Sequence, residues 1–238
     1  YASSGSLYVA TQRWADWGAL EQGEALPAHV TTEIHRFDTG SPGSTAYAAS
    51  GAVTGYLLSQ WAMSEHEGFL RVASTDAPIW WELPPAGEPE SRVTVLAQDG
   101  GILQPVGEVA GLGRGERIFA VRFVGDTGYV VTFRQVDPLY VVDLSSPASP
   151  TVAGELELLG YSAYLHPIGD GLLLGIGQDA TPEGQLLGTQ VSVFDVTDPS
   201  SPRLVDRRSL APGWSEAEWD HHAFLWWAPT GLAVVPVM

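Results

Sequence analysis

The 238-residue chain has no cysteine and no lysine, and only 16% of it is charged. Without cysteine there is neither a disulfide framework nor a thiolate metal site, and the redox compartment stays open. Without lysine every base is arginine, 11 against 28 acids, giving a formal charge of −17. That surplus argues against nucleic acid or an anionic membrane surface as partner, since both require positive charge. It leaves room for weak divalent-cation binding. No apolar run approaches the length of a membrane span, so membrane insertion is not expected, and Tyr1 opens without a signal-peptide pattern. What is abundant is apolar residue, 45% of the chain, enough for a packed core and inconsistent with disorder. The length suits one all-β domain.

The chain is organised around a strand pattern written out once from Ile118 and begun again before Gly177. Ile118-Phe-Ala-Val-Arg-Phe-Val, Thr127-Gly-Tyr-Val-Val-Thr-Phe, Leu139-Tyr-Val-Val-Asp-Leu and Thr151-Val-Ala-Gly-Glu-Leu-Glu-Leu are four short β-rich runs. Gly-Asp, Asp-Pro and Ser-Pro steps punctuate them. The turn Asp143-Leu-Ser-Ser-Pro147 returns 52 residues later as Asp195-Val-Thr-Asp-Pro199, and Asp38-Thr-Gly-Ser-Pro42 carries the same core upstream. An aspartate capping its own turn before a proline is turn chemistry, not catalysis. A second marker places Gly68, Gly128, Gly171 and Gly231 just ahead of an apolar strand, at spacings of 60, 43 and 60 residues. Hairpin turns want φ > 0 there, so all four are expected to adopt it.

Four-stranded units repeating at this spacing predict an all-β fold, a β-propeller of four-stranded antiparallel blades. The units run over residues 1–50 (partial), 51–112, 113–159, 160–211 and 212–238 (partial). Three complete blades with partial blades at both ends suggest a segment of a larger ring, with self-association through the incomplete blades as one way to complete it.

The run Gly115-Glu-Arg-Ile-Phe-Ala-Val-Arg-Phe-Val-Gly-Asp-Thr-Gly-Tyr-Val-Val-Thr-Phe resembles bacterial and archaeal secreted proteins with a C-terminal β-propeller distantly related to WD repeats. Gly160-Tyr-Ser-Ala-Tyr-Leu-His-Pro-Ile-Gly-Asp, Gly68-Phe-Leu-Arg-Val-Ala-Ser-Thr and Asp220-His-His-Ala-Phe-Leu are similar to the same family. The resemblance implies an extracellular or cell-envelope location. It carries no reaction and no catalytic residues.

The densest cluster of ligand-type residues is Asp220-His221-His222. Read as the innermost strand of its blade, this stretch puts Asp220 and His222 on one face. His166 occupies the corresponding strand of the preceding unit and Arg122 that of the unit before. Asp220, His222 and His166 are therefore candidate ligands for a divalent cation; the plainer reading is polar residues satisfied by water and backbone. No other cofactor is expected. Trp14, Trp17, Trp80 and Trp81, in long loops, are candidate ligand contacts together with Arg122. No Gly-x-Ser-x-Gly, phosphate-loop or HExxH motif is present. The expected function is a non-catalytic binding or scaffold module for protein or glycan partners. The alternatives are a glycan hydrolase or lyase using Asp220 and His222 at the channel mouth, and a divalent-metal-binding envelope protein.

Overall fold

The computed structural model describes residues 1–13, 29–77, 88–133 and 136–238. The chain divides into two compact units, Tyr1–Arg117 with Ser146–Pro150 and Ile118–Ser145 with Thr151–Met238. In the first, β1 (Ser6–Arg13), β2 (Thr31–Asp38) and β3 (Ala46–Thr54) form an antiparallel meander. A second meander follows, of β4 (Met63–His66), β5 (Phe69–Asp76), β6 (Glu90–Asp99) and β7 (Ile102–Leu112). β3 and β7 meet in parallel at Ser50 and Ile102, joining the two into one seven-stranded sheet. Ahead of β4, Ser59 caps a 3-10 turn over Gln60–Ala62 by accepting from the Trp61 N–H at 3.2 Å.

The second unit holds two four-stranded antiparallel sheets. One is built of β8 (Arg117–Val124), β9 (Thr127–Phe133), β10 (Val136–Asp143) and β11 (Thr151–Leu159). The other is built of β12 (Tyr161–Gly169), β13 (Leu172–Ala180), β14 (Leu186–Asp195) and β15 (Arg203–Ala211). A two-stranded pair, β16 (Leu225–Trp227) and β17 (Leu232–Val234), follows. In both four-stranded sheets the first strand in sequence lies at an edge. These are the predicted four-stranded antiparallel blades.

Central strands are covered on both faces. β13 is buried without interruption from Leu173 to Gln178, which is why its sequence reads as a continuous apolar run rather than an alternation. One face joins Leu165, Leu173 and Phe194 to Tyr129, Val131, Leu139 and Val141 of the preceding sheet. The other joins Tyr164, Leu174 and Ile176 to Ala217 and Phe224.

The hairpins follow turn chemistry. Glu67-Gly68 (φ 50° and 84°) and Asp170-Gly171 (φ 50° and 71°) each place two consecutive residues at positive φ between paired strands, as a type I′ turn requires. Gly231 also adopts positive φ, at 64°. Gly128 does not. It lies inside β9, packed against Phe123 and Leu144, and the positive φ of that hairpin falls on Gly125 (51°). The Asp-x-x-x-Pro turns cap themselves as expected. Asp38, Asp143 and Asp195 each accept, through Oδ1, from the backbone N–H two residues on, at 2.9–3.0 Å.

These turns also have a packing role. A Cβ on Gly154 of β11 would lie 2.4 Å from the Pro199 carbonyl oxygen, so the Asp195–Pro202 turn sits directly on the backbone of the neighbouring sheet's outer strand. In the first unit, Gly107 of β7 meets the Pro147 carbonyl in the same way, at 2.3 Å.

The stretch holding Asp220-His221-His222, expected as a strand, is not one. Glu216–Glu218 and His221–Ala223 are single 3-10 turns, and strand begins only at Leu225. Local side chains win over the strand here. Ser215 and Glu218 form a reciprocal capping box, and Asp220 accepts from the His222 N–H at 2.9 Å.

Candidate functional site

The residues singled out from the sequence fall into three groups. Trp14, Trp17, Trp80 and Trp81 lie outside the described residues. Asp220 and His222 are together, but as a cap and the residue it caps. Asp220 Oδ1 accepts from the His222 N–H and lies 3.0 Å from His222 Nδ1, and the His222 side chain is 80% exposed. Those hydrogen bonds from His222 hold the Asp220 carboxyl below the ordinary carboxylate range. His166 stands apart: the ligand atoms of Asp220, His222 and His166 do not gather within 4.8 Å of one another. The Arg122 charge does act on His166, in company with residues not singled out from the sequence.

The resulting site is built from the second unit alone. Arg122 projects from β8 and His166 from β12, the edge strands of the two sheets. Tyr164, two residues before His166 on the same strand face, sets its hydroxyl 2.9 Å from His166 Nδ1, with the two rings stacked at 6.0 Å. His221, delivered by the second 3-10 turn, packs edge-on against Tyr164 at 4.7 Å. Phe224 closes the back, 5.1 Å from the Tyr164 ring and 5.0 Å from His166. Tyr164 was legible as a same-face neighbour of His166. The contribution of His221 and Phe224 was hidden because it depends on the two 3-10 turns.

The electrostatics are those of a cation among uncharged rings. Burial, reinforced by the Arg122 charge, lowers the pKa of His166. The same two causes, in the same order, bring His221 down to about 4, with Asp220 opposing them. Burial raises the Tyr164 hydroxyl while Arg122 pulls it back. At neutral pH both imidazoles are uncharged. Among the described residues no carboxylate pairs with Arg122, and its Nε is buried without a hydrogen-bond partner.

Comparison with known proteins defines the family. All 238 residues match the profile described as a beta propeller domain. The chain belongs to the β-propeller domain family. An uncharacterized protein of Methanocaldococcus jannaschii is 45% identical over 177 residues, covering 74% of this chain and 26% of that protein. An uncharacterized protein of Archaeoglobus fulgidus is 40% identical over 185 residues, 78% of this chain and 27% of its own length. The propeller chain thus spans about a quarter of the length of these archaeal relatives. Among the described residues, no helix is long and apolar enough to cross a membrane.

Proposed function

We propose that this propeller chain is a non-catalytic binding module for protein or glycan partners, working outside the cell or at the cell envelope. The observation that carries the reading is the composition of the Arg122 site. It offers one fixed cation, two neutral imidazoles and a phenol, a set of donors and acceptors able to hold a polar ligand. Glycoside hydrolysis in its common form needs two carboxyl groups facing one bond. Here Asp220, whose charge acts on His221, is committed to capping the His221–Ala223 turn. The extracellular or envelope placement rests on the resemblance of the Gly115–Phe133 run to secreted propeller proteins, and the acidic, lysine-free composition suits exposure to solvent.

The test pairs binding with turnover. Purified chain is screened against an oligosaccharide array, and the bound sugars are then assayed for release of reducing ends or unsaturated products. Saturable binding without product is expected. Product release that disappears in Asp220→Asn would replace this reading with the hydrolase or lyase alternative.

A further inference from the structure

Arg122 is a feature of the site that internal packing among the described residues leaves unexplained. Arg36, Arg92, Arg114, Arg203, Arg207 and Arg208 each lie against at least one carboxylate. Arg122 lies against none among the described residues, in a chain where acids outnumber bases by 28 to 11. A partly buried guanidinium with an unpartnered Nε is costly to keep unless something pairs with it. Its charge acts on Tyr164 and His166 of β12 and on His221 of the segment after β15, whose rings pack against one another and Phe224. Beyond them, Asp220 and His222 belong to each other.

We propose that Arg122, with His166 and His221 beside it, binds an oxyanion. The guanidinium supplies the full charge and a planar fork of donors matched to two oxygens of one group. When the Tyr164 hydroxyl donates to His166 Nδ1, the ring proton of His166 sits on Nε2 and is a third donor. The oxyanion reaches the site in one of two forms, as a free inorganic anion or as the acidic group of a sugar in a glycan. Only the second form rests on the binding function proposed above.

The experiment is titration of the chain at low chloride and neutral pH with phosphate, sulfate and glucuronate, each in separate arms. Affinity is read by calorimetry, and the side-chain resonances of His166 and His221 are followed by NMR. Saturable binding that moves both imidazoles is expected, weakened by at least about 10-fold in Arg122→Gln. Arg122→Lys, which keeps the charge and loses the fork, falls between wild type and Arg122→Gln. Phosphate or sulfate binding assigns a free-anion site and stands even if the oligosaccharide array is blank. Binding of glucuronate alone assigns an acidic glycan. Far-UV circular dichroism checks that each variant is folded. If Arg122→Gln does not fold, Arg122→Lys and His166→Gln carry the comparison. No saturable binding in any arm, or affinities unchanged in the folded variants, overturns the proposal.

Discussion

Gly154→Ala tests whether the Asp-x-x-x-Pro turns lock neighbouring sheets together. The added methyl would lie 2.4 Å from the Pro199 carbonyl oxygen and 3.0 Å from both Pro202 Cδ and the Ser200 carbonyl carbon. None of these atoms is the free end of a flexible side chain, so relief requires β11 or the turn to move. The turn is fixed internally: Thr197 N–H donates to Asp195 Oδ1 at 3.0 Å, and Ser200 N–H donates to Asp198 Oδ1 at 3.0 Å. Overpacking of this kind costs about 1–3 kcal/mol. Against it, alanine restricts the unfolded chain and returns about 0.4–1 kcal/mol. The net loss is about 1–2 kcal/mol, and at this chain length each kcal/mol moves Tm by about 2–4 °C. Thermal unfolding followed by circular dichroism should therefore show Tm about 2–8 °C below wild type. Gly101→Ala is the control, because a Cβ there meets nothing within 4 Å and its φ is ordinary. If Gly154→Ala melts at or above the temperature of Gly101→Ala, the turn does not press on the strand and the packing argument fails. Gly107→Ala repeats the test in the first unit, against the Pro147 carbonyl at 2.3 Å.

Phe194 is 1% exposed in the cluster between the two four-stranded sheets, so Phe194→Ala should cost about 3–5 kcal/mol in denaturant unfolding. Val205→Ala, at a side chain 59% exposed, should change little. Ser215→Ala removes one half of the capping box and should cost about 1 kcal/mol, with the Gln178 amide to Glu218 contact loosened in the same variant. His221 is expected to titrate near pH 4 by NMR; a midpoint near 6.5 would mean that the ring is not buried against Tyr164. Because its folded pKa lies below the unfolded value, the stability it contributes is complete above about pH 6.5 and is lost as pH falls from there toward 4. Tm measured across that window should fall, and His221→Gln should flatten the fall.

The strands were legible because their determinants are local. Thr127–Phe133, Leu172–Ala180 and their partners announce themselves by β-branched and aromatic content between turn residues, and the Asp-x-x-x-Pro turns cap themselves whatever surrounds them. The hairpin glycines were legible in three positions of four; at Gly128 the same local rule picked the wrong glycine, because Gly125 already supplies the positive φ. The stretch holding Asp220-His221-His222 reads as strand from its apolar and aromatic neighbours, while Ser215, Glu218 and Asp220 offer the backbone competing hydrogen bonds. The site was only half legible. Arg122 and His166 could be placed on equivalent strands, but the packing that gathers them with Tyr164, His221 and Phe224 is set by contact between elements far apart in sequence.

The position of the site follows from the repeat, and its chemistry follows from where the repeat diverges. Arg122 stands four residues before the turn acid Asp126, and His166 stands four residues before Asp170. Strand pairing matches His166, opposite Leu174 two residues into β13, with Ser64, opposite Arg71 two residues into β5. One register position on the first strand of a blade therefore carries serine in the first unit and histidine in the second. Turn chemistry and the covered faces of the central strands fix the backbone at that position, so a charged residue there is held in place. Where it is Arg122, the same scaffold presents an uncompensated cation beside two imidazoles, and recognition of an anion is the use to which such a residue is suited.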